Sequence, residues 1–514
     1  MISDGFLKDK RLPLIMLASL IWGIVAHGMA MFVKFSYHDD VPWFNGVGET
    51  YGLGRWFLAI ESRITEALWG SMDYSVPAFN GVLTIAGIAF TLYLLCRKLE
   101  IKDRLLIVSL CGVFVCFPSV TNIFGFIFTA PQYYVGAMFG VAGAYLLYTY
   151  DNVPTFLICT FLMALSVGVY QSNIPVNLMV LLLFMLDRVC STDMKWKEYI
   201  ILALKNALVC VCFMGQYFLY NLISLKAANA VMYDYKGVNS FGYSSPEAYI
   251  YRIYTAYKRF IKPADHINYD GVSNNMFPWN IKYFHMLLIA ATLILIVYLL
   301  RSSGTLTKIA QISILIAVSP LFAYFVYVMV DEDDAHGGMG YGAAFMFILA
   351  AYIIERTREY GRTARITANA GIALMLVIGL MFARYANICY LKVQVMQTEA
   401  ISYYNRLIAR IESVDGYTAD TPVAYIGGNQ KNEDEASVEG LFDPIYLPPF
   451  QGNSIINDFS WKETMRLWCG FSPVIAEDDA LSETGQEQIT QMPCYPASGS
   501  IKMIDDVLVV KFAE

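Results

Sequence analysis

Long runs of apolar residues alternate with short polar stretches over roughly the first three quarters of this chain. Each run has the length of about 20 residues that an α-helix needs to cross a hydrocarbon layer of about 30 Å. The pattern therefore predicts a mainly α polytopic membrane protein with about eleven transmembrane helices. The predicted helices begin near Leu12, Val76, Leu105, Tyr133, Thr155, Ile174, Tyr199, Tyr283, Leu306, Tyr341 and Ile366.

The polar segments at residues 35–75 and 224–282 are too long to be simple turns. In the second of them, tyrosines spaced by three and four residues beside Arg252, Lys258 and Arg259 predict an amphipathic helix at the membrane interface. After residue 386 a helical stretch (393–413), a strand (422–426) and a hairpin (501–510) predict a small α/β domain. We therefore expect a transmembrane catalytic domain at 1–386 and an α/β domain at 387–514.

Composition supports the membrane assignment, because 57% of the 514 residues are hydrophobic and 15% are charged, against about 25% charged in soluble domains. After Asn387 acidic residues outnumber basic ones by 19 to 8, which argues against a nucleic-acid partner. Two of the ten cysteines, Cys469 and Cys494, fall in this polar tail. They would suit a disulfide if the tail is outside the cell, and free thiols if it is cytosolic.

Basic residues occur in every second connection between the predicted helices. They lie at 8–11, 97–104, 195–197, 301–308 and 356–365, whereas 121–132, 170–173 and 331–342 contain no Lys or Arg. The positive-inside rule then predicts a cytoplasmic N-terminus. The first apolar run is too long for a signal peptide, so we expect it to be retained. An odd number of helices places both long loops and the α/β tail outside.

An acidic pair, Asp39 and Asp40, follows His38 directly after the first predicted helix. Carboxylates at a membrane boundary cost free energy, so they commonly mark a site. Neighbouring carboxylates repel each other, which favours a proton on one of them and makes the pair suitable as a general base near neutral pH. The alternative is that they are interfacial charges that end a helix. His38 would orient a carboxylate or contribute to a divalent-cation site.

Gly54-Arg55-Trp56 lies in the same loop. The planar guanidinium of Arg55 suits phosphate oxygens, and Trp56 places an aromatic ring beside it. The alternative is an ion pair between Arg55 and Glu49 or Glu61.

Two further polar groups fall on the same predicted face. A cluster at 331–334 precedes His336 and several glycines; Asp334 and His336, nearest the next helix, are the candidates, whereas the rest is interpreted as a solvated charge run. Tyr170-Gln171-Ser172-Asn173 ends a predicted helix, and its amide side chains suit either sugar hydroxyls or the capping of that helix end.

Several functions are disfavoured by missing motifs. The sequence contains no phosphate-binding Walker motif, no G-x-S-x-G and no zincin motif. It also shows no pair of matching broken helices in two halves, which weakens a secondary transporter. A transporter of polysaccharide or lipid-linked oligosaccharide nevertheless stays open as the alternative, as does a scaffold that binds a glycan through the tail.

The acidic pair in a long first outer loop, the Gly-Arg-Trp after it and an outer tail together resemble bacterial serotype-converting glucosyltransferases of the GtrII-like family. The likeness is carried by residues 35–55, by Tyr170-Gln171-Ser172 and by Pro493-Cys494-Tyr495-Pro496 with the strands after it. The resemblance implies a GT-C type membrane fold in the bacterial cytoplasmic membrane.

The resemblance also implies a reaction. A polyprenyl-phosphate-linked hexose, glucose by the family's example, would be transferred with inversion to a cell-surface glycan. Asp39 would act as base, Asp40 would share the proton or position the acceptor, and Arg55 would neutralise the lipid phosphate. The loop after Asp331 has no basic residue in the place expected for a second phosphate partner, so Arg252, Lys258 and Arg259 would substitute for it. The family requires no cofactor, and a divalent cation is left open.

Overall fold

The computed structural model describes residues 8–35, 38–41, 46, 48, 50–69, 75–233, 244–261, 266–269, 272–275, 281–330, 335, 337–428, 459–477 and 480–513. The chain divides into two compact units. The first comprises Met1–Lys34, Asn45–Tyr390 and Pro444–Phe450, and the second comprises Phe35–Phe44, Leu391–Asp443 and Gln451–Glu514. The short segment that carries the acidic pair is thus grouped with the C-terminal unit, although it lies within the predicted range 1–386.

The first unit is built almost entirely from helices. They are α1 (Arg11–Phe32), α2 (Trp56–Trp69), α3 (Pro77–Lys98), α4 (Arg104–Cys116), α5 (Pro118–Phe124), α6 (Ala130–Tyr150), α7 (Val153–Val169), α8 (Ile174–Ser191), α9 (Trp196–Ala228), α10 (Pro246–Ile261), α11 (Ile281–Ser302), α12 (Leu306–Ala323), α13 (Val326–Met329), α14 (Phe345–Thr357) and the start of α15 (Arg362–Glu412). Short 3₁₀ turns occupy Tyr51–Leu53, Gln171–Asn173 and Gly337–Ala344, and β1 (His266–Tyr269) pairs antiparallel with β2 (Val272–Asn275).

The helices agree with the hydrophobic pattern. Every predicted start lies within four residues of the start of a helix or 3₁₀ turn. In the described part of the chain, eight helices are long and apolar enough to cross a membrane, or nine if α4 and α5 form one bent span. The bend of 44° lies at Pro118, which lacks an amide hydrogen and cannot continue the helix ladder. The protein is therefore a multi-pass membrane protein, and the number eleven stays a prediction.

Ion pairs join the connections that carry the basic residues. Arg188 binds Asp151 at 2.7 Å, Arg356 binds Asp187 at 2.7 Å and Lys308 binds Asp193 at 3.3 Å. Arg358 also pairs with Asp103. These connections therefore lie at one common end of the helices, which we call the ion-paired end.

The second unit contains the C-terminal part of α15 and a three-stranded sheet. Strand β3 (Val423–Ile426) runs parallel to β5 (Val507–Lys511), and β4 (Ile501–Ile504) pairs antiparallel with β5. Asp505 and Asp506 form the tight turn between β4 and β5 with positive φ angles of 50° and 61°, a conformation in which aspartate is tolerated. The predicted C-terminal hairpin is confirmed.

An apolar core holds this unit together. Tyr404, Leu407 and Ile411 lie on one face of α15 and are packed in one buried cluster with Leu508 of the sheet and Trp461 of α16 (Trp461–Cys469). A second cluster includes Ile489 of α17 (Glu483–Gln491) and covers the sheet with the help of Val509. Cys469 and Cys494 are free thiols in this structure.

Candidate functional site

A tight turn places Arg55 at the start of α2. Gly54 ends the preceding 3₁₀ turn with φ of 70°, a left-handed conformation that favours glycine. A Cβ atom at this position would also lie 2.7 Å from the Tyr217 hydroxyl and 2.9 Å from Gln171 Nε2. The Arg55 amide then donates to the Thr50 carbonyl at 2.8 Å. Glycine at position 54 is therefore required both by backbone conformation and by close packing.

Two tyrosines hold the guanidinium of Arg55. Its Nη1 donates to the Tyr133 hydroxyl at 3.0 Å, and its Cζ lies 5.2 Å from the centre of the Tyr170 ring. The two rings are stacked at 4.4 Å with an angle of 4° between them. Contacts of a guanidinium with aromatic rings fix its position by cation–π attraction. Tyr133 and Tyr170 therefore orient Arg55 from the starts of α6 and of the 170–173 turn.

Gln171 fastens the turn that carries Arg55. Its Nε2 donates to the Leu53 carbonyl at 2.6 Å and to the Tyr217 hydroxyl at 3.2 Å. The Tyr217 hydroxyl in turn donates to the Gly54 carbonyl at 3.2 Å. These three bonds connect α9 and the 170–173 turn to both residues before Arg55, so Gln171 is a positioning residue for the guanidinium.

Arg55, Tyr170, Gln171 and Ser172 line a small cavity of about 30 Å³. Its other walls are apolar and come from Leu53, Met232, Tyr233, Val326, Met329, Val330 and Met339. The site thus presents one cation and a few hydrogen-bonding groups against hydrocarbon side chains. A cavity of this size holds about one water molecule, so its lining matches the chemistry of an anionic group on an apolar chain but not the volume of such a ligand.

Two predicted site residues serve in packing. Trp56 is buried with its ring against Tyr220 of α9, and a Cβ at Gly168 would lie 2.6 Å from the Trp56 ring. Asn173 is buried and donates through Nδ2 to the Ser166 carbonyl at 3.0 Å, so its amide nitrogen caps α7. Neither residue is among those lining the Arg55 cavity, and substrate contact by either stays a prediction.

The predicted amphipathic helix is α10, and its basic residues do not share one environment. Arg252 and Arg259 are buried, whereas Tyr251 and Tyr254 are exposed. Arg252 donates to the Val328 carbonyl at 3.5 Å, within the segment whose neighbouring residues line the Arg55 cavity. Arg259 lies over the Tyr327 ring at 5.8 Å. Lys258 is half-buried, so the three basic residues do not form one patch.

The acidic candidates belong to the second unit or lie outside the described residues. Asp39 is half-buried and Asp40 is buried, in a short 3₁₀ turn at His38–Asp40. The side chain of His38 lies outside the described part of the chain, as do Asp334 and His336. Among the residues that are described, no three His, Cys, Asp or Glu side chains come together as a metal site.

The sequence did not single out Tyr133, Tyr217 or Glu61 as site residues. Both tyrosines lie in apolar helices and resemble ordinary interfacial or core aromatics, so only their hydroxyl contacts identify them. Glu61 was considered only as an ion-pair partner of Arg55, and that pairing is wrong: Glu61 is buried on α2, and its Oε2 has no hydrogen-bond partner among the described residues. Glu49, the other partner considered, lies outside the described residues.

The fold and the Arg55 site define a multi-pass membrane protein that presents a fixed cation between apolar walls. The profile of the family "Glucosyl transferase GtrII" matches residues 28–347, which is more than half of the chain. The chain belongs to this glucosyl transferase family. No curated protein matches it.

One solved structure with a similar arrangement is the oligosaccharyltransferase of Archaeoglobus fulgidus in its apo form, at 11% identity and a TM-score of 0.37. The similarity covers 82% of this chain and 63% of that one, so the chain spans less than two thirds of the length of this structure.

Proposed function

We propose that this protein is an inverting glucosyltransferase of the bacterial cytoplasmic membrane. It transfers a hexose, most simply glucose, from polyprenyl phosphate to a cell-envelope glycan on the outer face. The proposal rests on the match of a glucosyl transferase family to the part of the chain that contains Arg55, Tyr133 and Tyr170. The transmembrane part at 1–386 carries the reaction, and the tail at 387–514 is the extracytoplasmic α/β domain.

In this proposal Arg55 receives the phosphate that leaves. Cleavage of the bond between C1 of the sugar and the phosphate oxygen leaves its electron pair on the phosphate, whose added negative charge requires a nearby cation. The hydrogen bond to Tyr133 and the ring of Tyr170 hold the guanidinium in place before the substrate arrives. Because the negative charge on the phosphate grows as the bond breaks, the guanidinium already in place stabilises the transition state more than the ground state.

Asp39 or Asp40 acts as the general base in this proposal. One carboxylate accepts the proton of the acceptor hydroxyl as its oxygen attacks C1 from the face opposite the phosphate, which inverts the configuration. The second carboxylate shares this proton or positions the acceptor. No metal is needed for this step, because the base and the cation supply both required charges.

The apolar walls beside Arg55 support a lipid-linked donor. Leu53, Met329 and Met339 present hydrocarbon and thioether surface next to the guanidinium, and a polyprenyl phosphate combines an anion with a long apolar chain. Arg252, bonded to the Val328 carbonyl in the same wall segment, is the second basic residue that we assign to the phosphate.

Sugar transfer from radiolabelled polyprenyl-phosphate glucose, measured in membranes, tests the proposal. We expect Arg55→Gln, and at least one of Asp39→Asn and Asp40→Asn, to reduce transfer by about 100-fold or more, because each removes a charge used in the transition state. Arg365→Gln is the matched control, since Arg365 is an exposed arginine that pairs with Glu359 at 3.2 Å. Its transfer rate should equal that of the wild type.

The same assay separates the alternatives. A transporter would move lipid-linked glycan without forming a labelled product, and its flux would survive both Asp substitutions. A glycan-binding scaffold would lose its binding when 393–514 is deleted but not in the loop variants. Normal transfer by a correctly inserted Arg55→Gln protein would overturn the role of Arg55 as the phosphate cation.

A further inference from the structure

A second cavity lies along α3, apart from the residues that line the Arg55 cavity. It has a volume of about 730 Å³ and is lined by residues of α1, α2, α3 and α6 and the segments beside them. From Val76 to Phe90 the residues of α3 that line it recur every three or four positions, so they form one face of that helix. At a rise of 1.5 Å per residue this face is about 21 Å long. The cavity is thus an elongated groove, which we call the α3 groove.

The α3 groove opens on the apolar surface of the protein. Met16 of α1 and Phe79 and Leu83 of α3 line it and are exposed. In a multi-pass membrane protein, exposed apolar side chains on the spanning helices face lipid. A lipid can therefore enter the groove sideways from the bilayer, and most of the groove offers only hydrocarbon contacts.

Two of the polar side chains that line the α3 groove lie where α3 and α6 begin, and two lie on α2. Asn80 and Gln132 lie in the first turns of α3 and α6, and Glu61 and Thr65 lie on α2, whereas Phe90 and Phe139 line the groove further along α3 and α6. The α3 groove therefore combines a few polar side chains with long apolar walls, a combination that fits an amphiphile.

Some polar side chains of the groove already form hydrogen bonds within the protein, which limits how many polar contacts the head of a ligand can make. Asn80 donates to the Ile127 carbonyl at 3.0 Å, and Thr65 donates to the Glu61 carbonyl at 2.9 Å. Glu61 Oε2 and Gln132 Oε1 are buried and have no hydrogen-bond partner among the described residues, and each of these two residues is only 9% exposed. Buried polar atoms without partners cost free energy, so these two oxygens are candidate contacts for a ligand.

The charges of the side chains that line the groove also limit the charge that the head of the ligand can carry. Among the described residues that line it there is no Lys, Arg or His, so the lining itself offers a phosphate head no cation. Lys34 is not in the lining, and it donates to Ser75, the residue before Val76, at 2.9 Å. Burial raises the pKa of Glu61 to about 8, which keeps the carboxyl neutral near pH 7 and able to donate a hydrogen bond. A single hydroxyl group can accept a hydrogen bond from a protonated carboxyl such as Glu61 and donate one to an amide oxygen such as Gln132 Oε1, so its bonding pattern matches these two groups. A free sugar has several hydroxyls and would leave the others unsatisfied.

We propose that the α3 groove binds a neutral lipid with one free hydroxyl, such as a long-chain or isoprenoid alcohol, with the hydroxyl held between Glu61 and Gln132. This site is separate from the phosphate site proposed at Arg55 and takes a different chemical class of ligand.

Photolabelling of the full-length protein in phosphatidylcholine nanodiscs tests the proposal. The probes are hexadecanol, hexadecane and hexadecyl phosphate, each with a diazirine on the same carbon. We expect the alcohol to label peptides 76–90 and 131–139 about fivefold more than the other two probes, because hexadecane forms no hydrogen bonds and the charged phosphate is not matched by a cation in the lining. Preferential labelling by hexadecyl phosphate, or equal labelling by hexadecane, would overturn the proposal.

Substitutions locate the head of the ligand. Glu61→Leu and Gln132→Leu should each reduce labelling by the alcohol about fivefold, without changing labelling by hexadecane. Glu66→Leu is the matched control, since Glu66 is an exposed acid on the same helix. Unchanged labelling in Glu61→Leu would show that the hydroxyl binds elsewhere. If the variants fail to insert, the comparison of the three probes on wild-type protein still decides the question, and neither readout depends on sugar transfer.

Discussion

The acidic side chains of the ion-paired end have basic partners, whereas the buried acidic side chain of α2, Glu61, has none among the described residues. At the ion-paired end, Asp151 accepts hydrogen bonds from both Lys205 and Arg188. The bond from Lys205 lowers the pKa of Asp151 against the opposing effect of partial burial, and Arg188 contributes in the same direction. On α2, burial without a cation raises the pKa of Glu61 to about 8.

This difference separates structural charges from candidate binding groups. Each aspartate of the ion-paired end is matched by a basic side chain from another connection, so its charge is used in holding helices together. Glu61 and Gln132 have oxygens that the described protein does not satisfy, and Arg55 lines a separate cavity. Buried groups without a partner cost stability and are expected where a protein binds a ligand.

The largest effect should come from replacing Glu61. Its folded pKa of about 8 lies above the ordinary value of 4.5, so the folded state holds a proton that the unfolded state has lost. Its contribution to stability is complete below pH 4.5, falls as pH rises, and levels off above about pH 8, a total of at most about 5 kcal/mol. Glu61→Gln should therefore become progressively more stable than the wild type as pH rises from 5 to 8.5.

Thermal unfolding midpoints in detergent at pH 5.5, 7 and 8.5 measure this difference. Glu66→Gln on the exposed side of α2 provides the baseline for loss of an acidic side chain. A constant gap between Glu61→Gln and wild type over this range would mean that the carboxyl is paired or solvated, and it would remove the contrast with the ion-paired end.

Breaking one pair at the ion-paired end should have a smaller effect. Arg356 donates to Asp187 at 2.7 Å and to Ser191 at 2.6 Å. Arg356→Met leaves Asp187 with the Tyr352 hydroxyl at 3.1 Å and should lower the free energy of unfolding by about 1–3 kcal/mol. Denaturation in detergent measures the loss, and transfer per folded molecule should not change. A loss of transfer at normal stability would contradict a purely structural role for this end.

Removing the Gln171 amide, which holds the turn before Arg55, should affect catalysis without a large effect on folding. Gln171→Leu removes the bonds to the Leu53 carbonyl and Tyr217, and we expect transfer to fall about tenfold because the guanidinium loses its fixed position. The control is Gln216→Leu, which removes an amide that donates to Thr160 at 3.1 Å. If both variants lose transfer equally, the effect is one of general packing.

The smallest effect should come from an exposed ion pair. Lys102 and Glu100 pair at 3.2 Å with side chains that are 68% and 69% exposed. Lys102→Gln should change the free energy of unfolding by less than about 0.5 kcal/mol, because water and salt screen such a pair. A larger change, measured in the same denaturation assay as Arg356→Met, would show that the ion-paired end depends on net charge and not on its individual pairs.

The hydrophobic pattern predicted most of the architecture. The positions of the long helices and the C-terminal hairpin follow from local periodicity and turn residues, which are encoded over a few neighbouring positions. At the site, sequence reasoning identified Arg55, Tyr170 and Gln171, because charged and amide side chains are unusual beside apolar runs. It missed Tyr133 and Tyr217, since a tyrosine in an apolar helix gives no sign of what its hydroxyl contacts.

The sequence alone determined that this is a multi-pass helical protein with polar groups concentrated in a few connections, because burial of apolar side chains and satisfaction of the backbone in lipid leave little other choice. Only the tertiary structure decided which charges pair. Whether Arg188 neutralises Asp151, whether Arg252 faces inward and whether Glu61 finds a partner all depend on side chains distant in sequence. Those contacts are set by the packing of whole helices, and no local pattern encodes them.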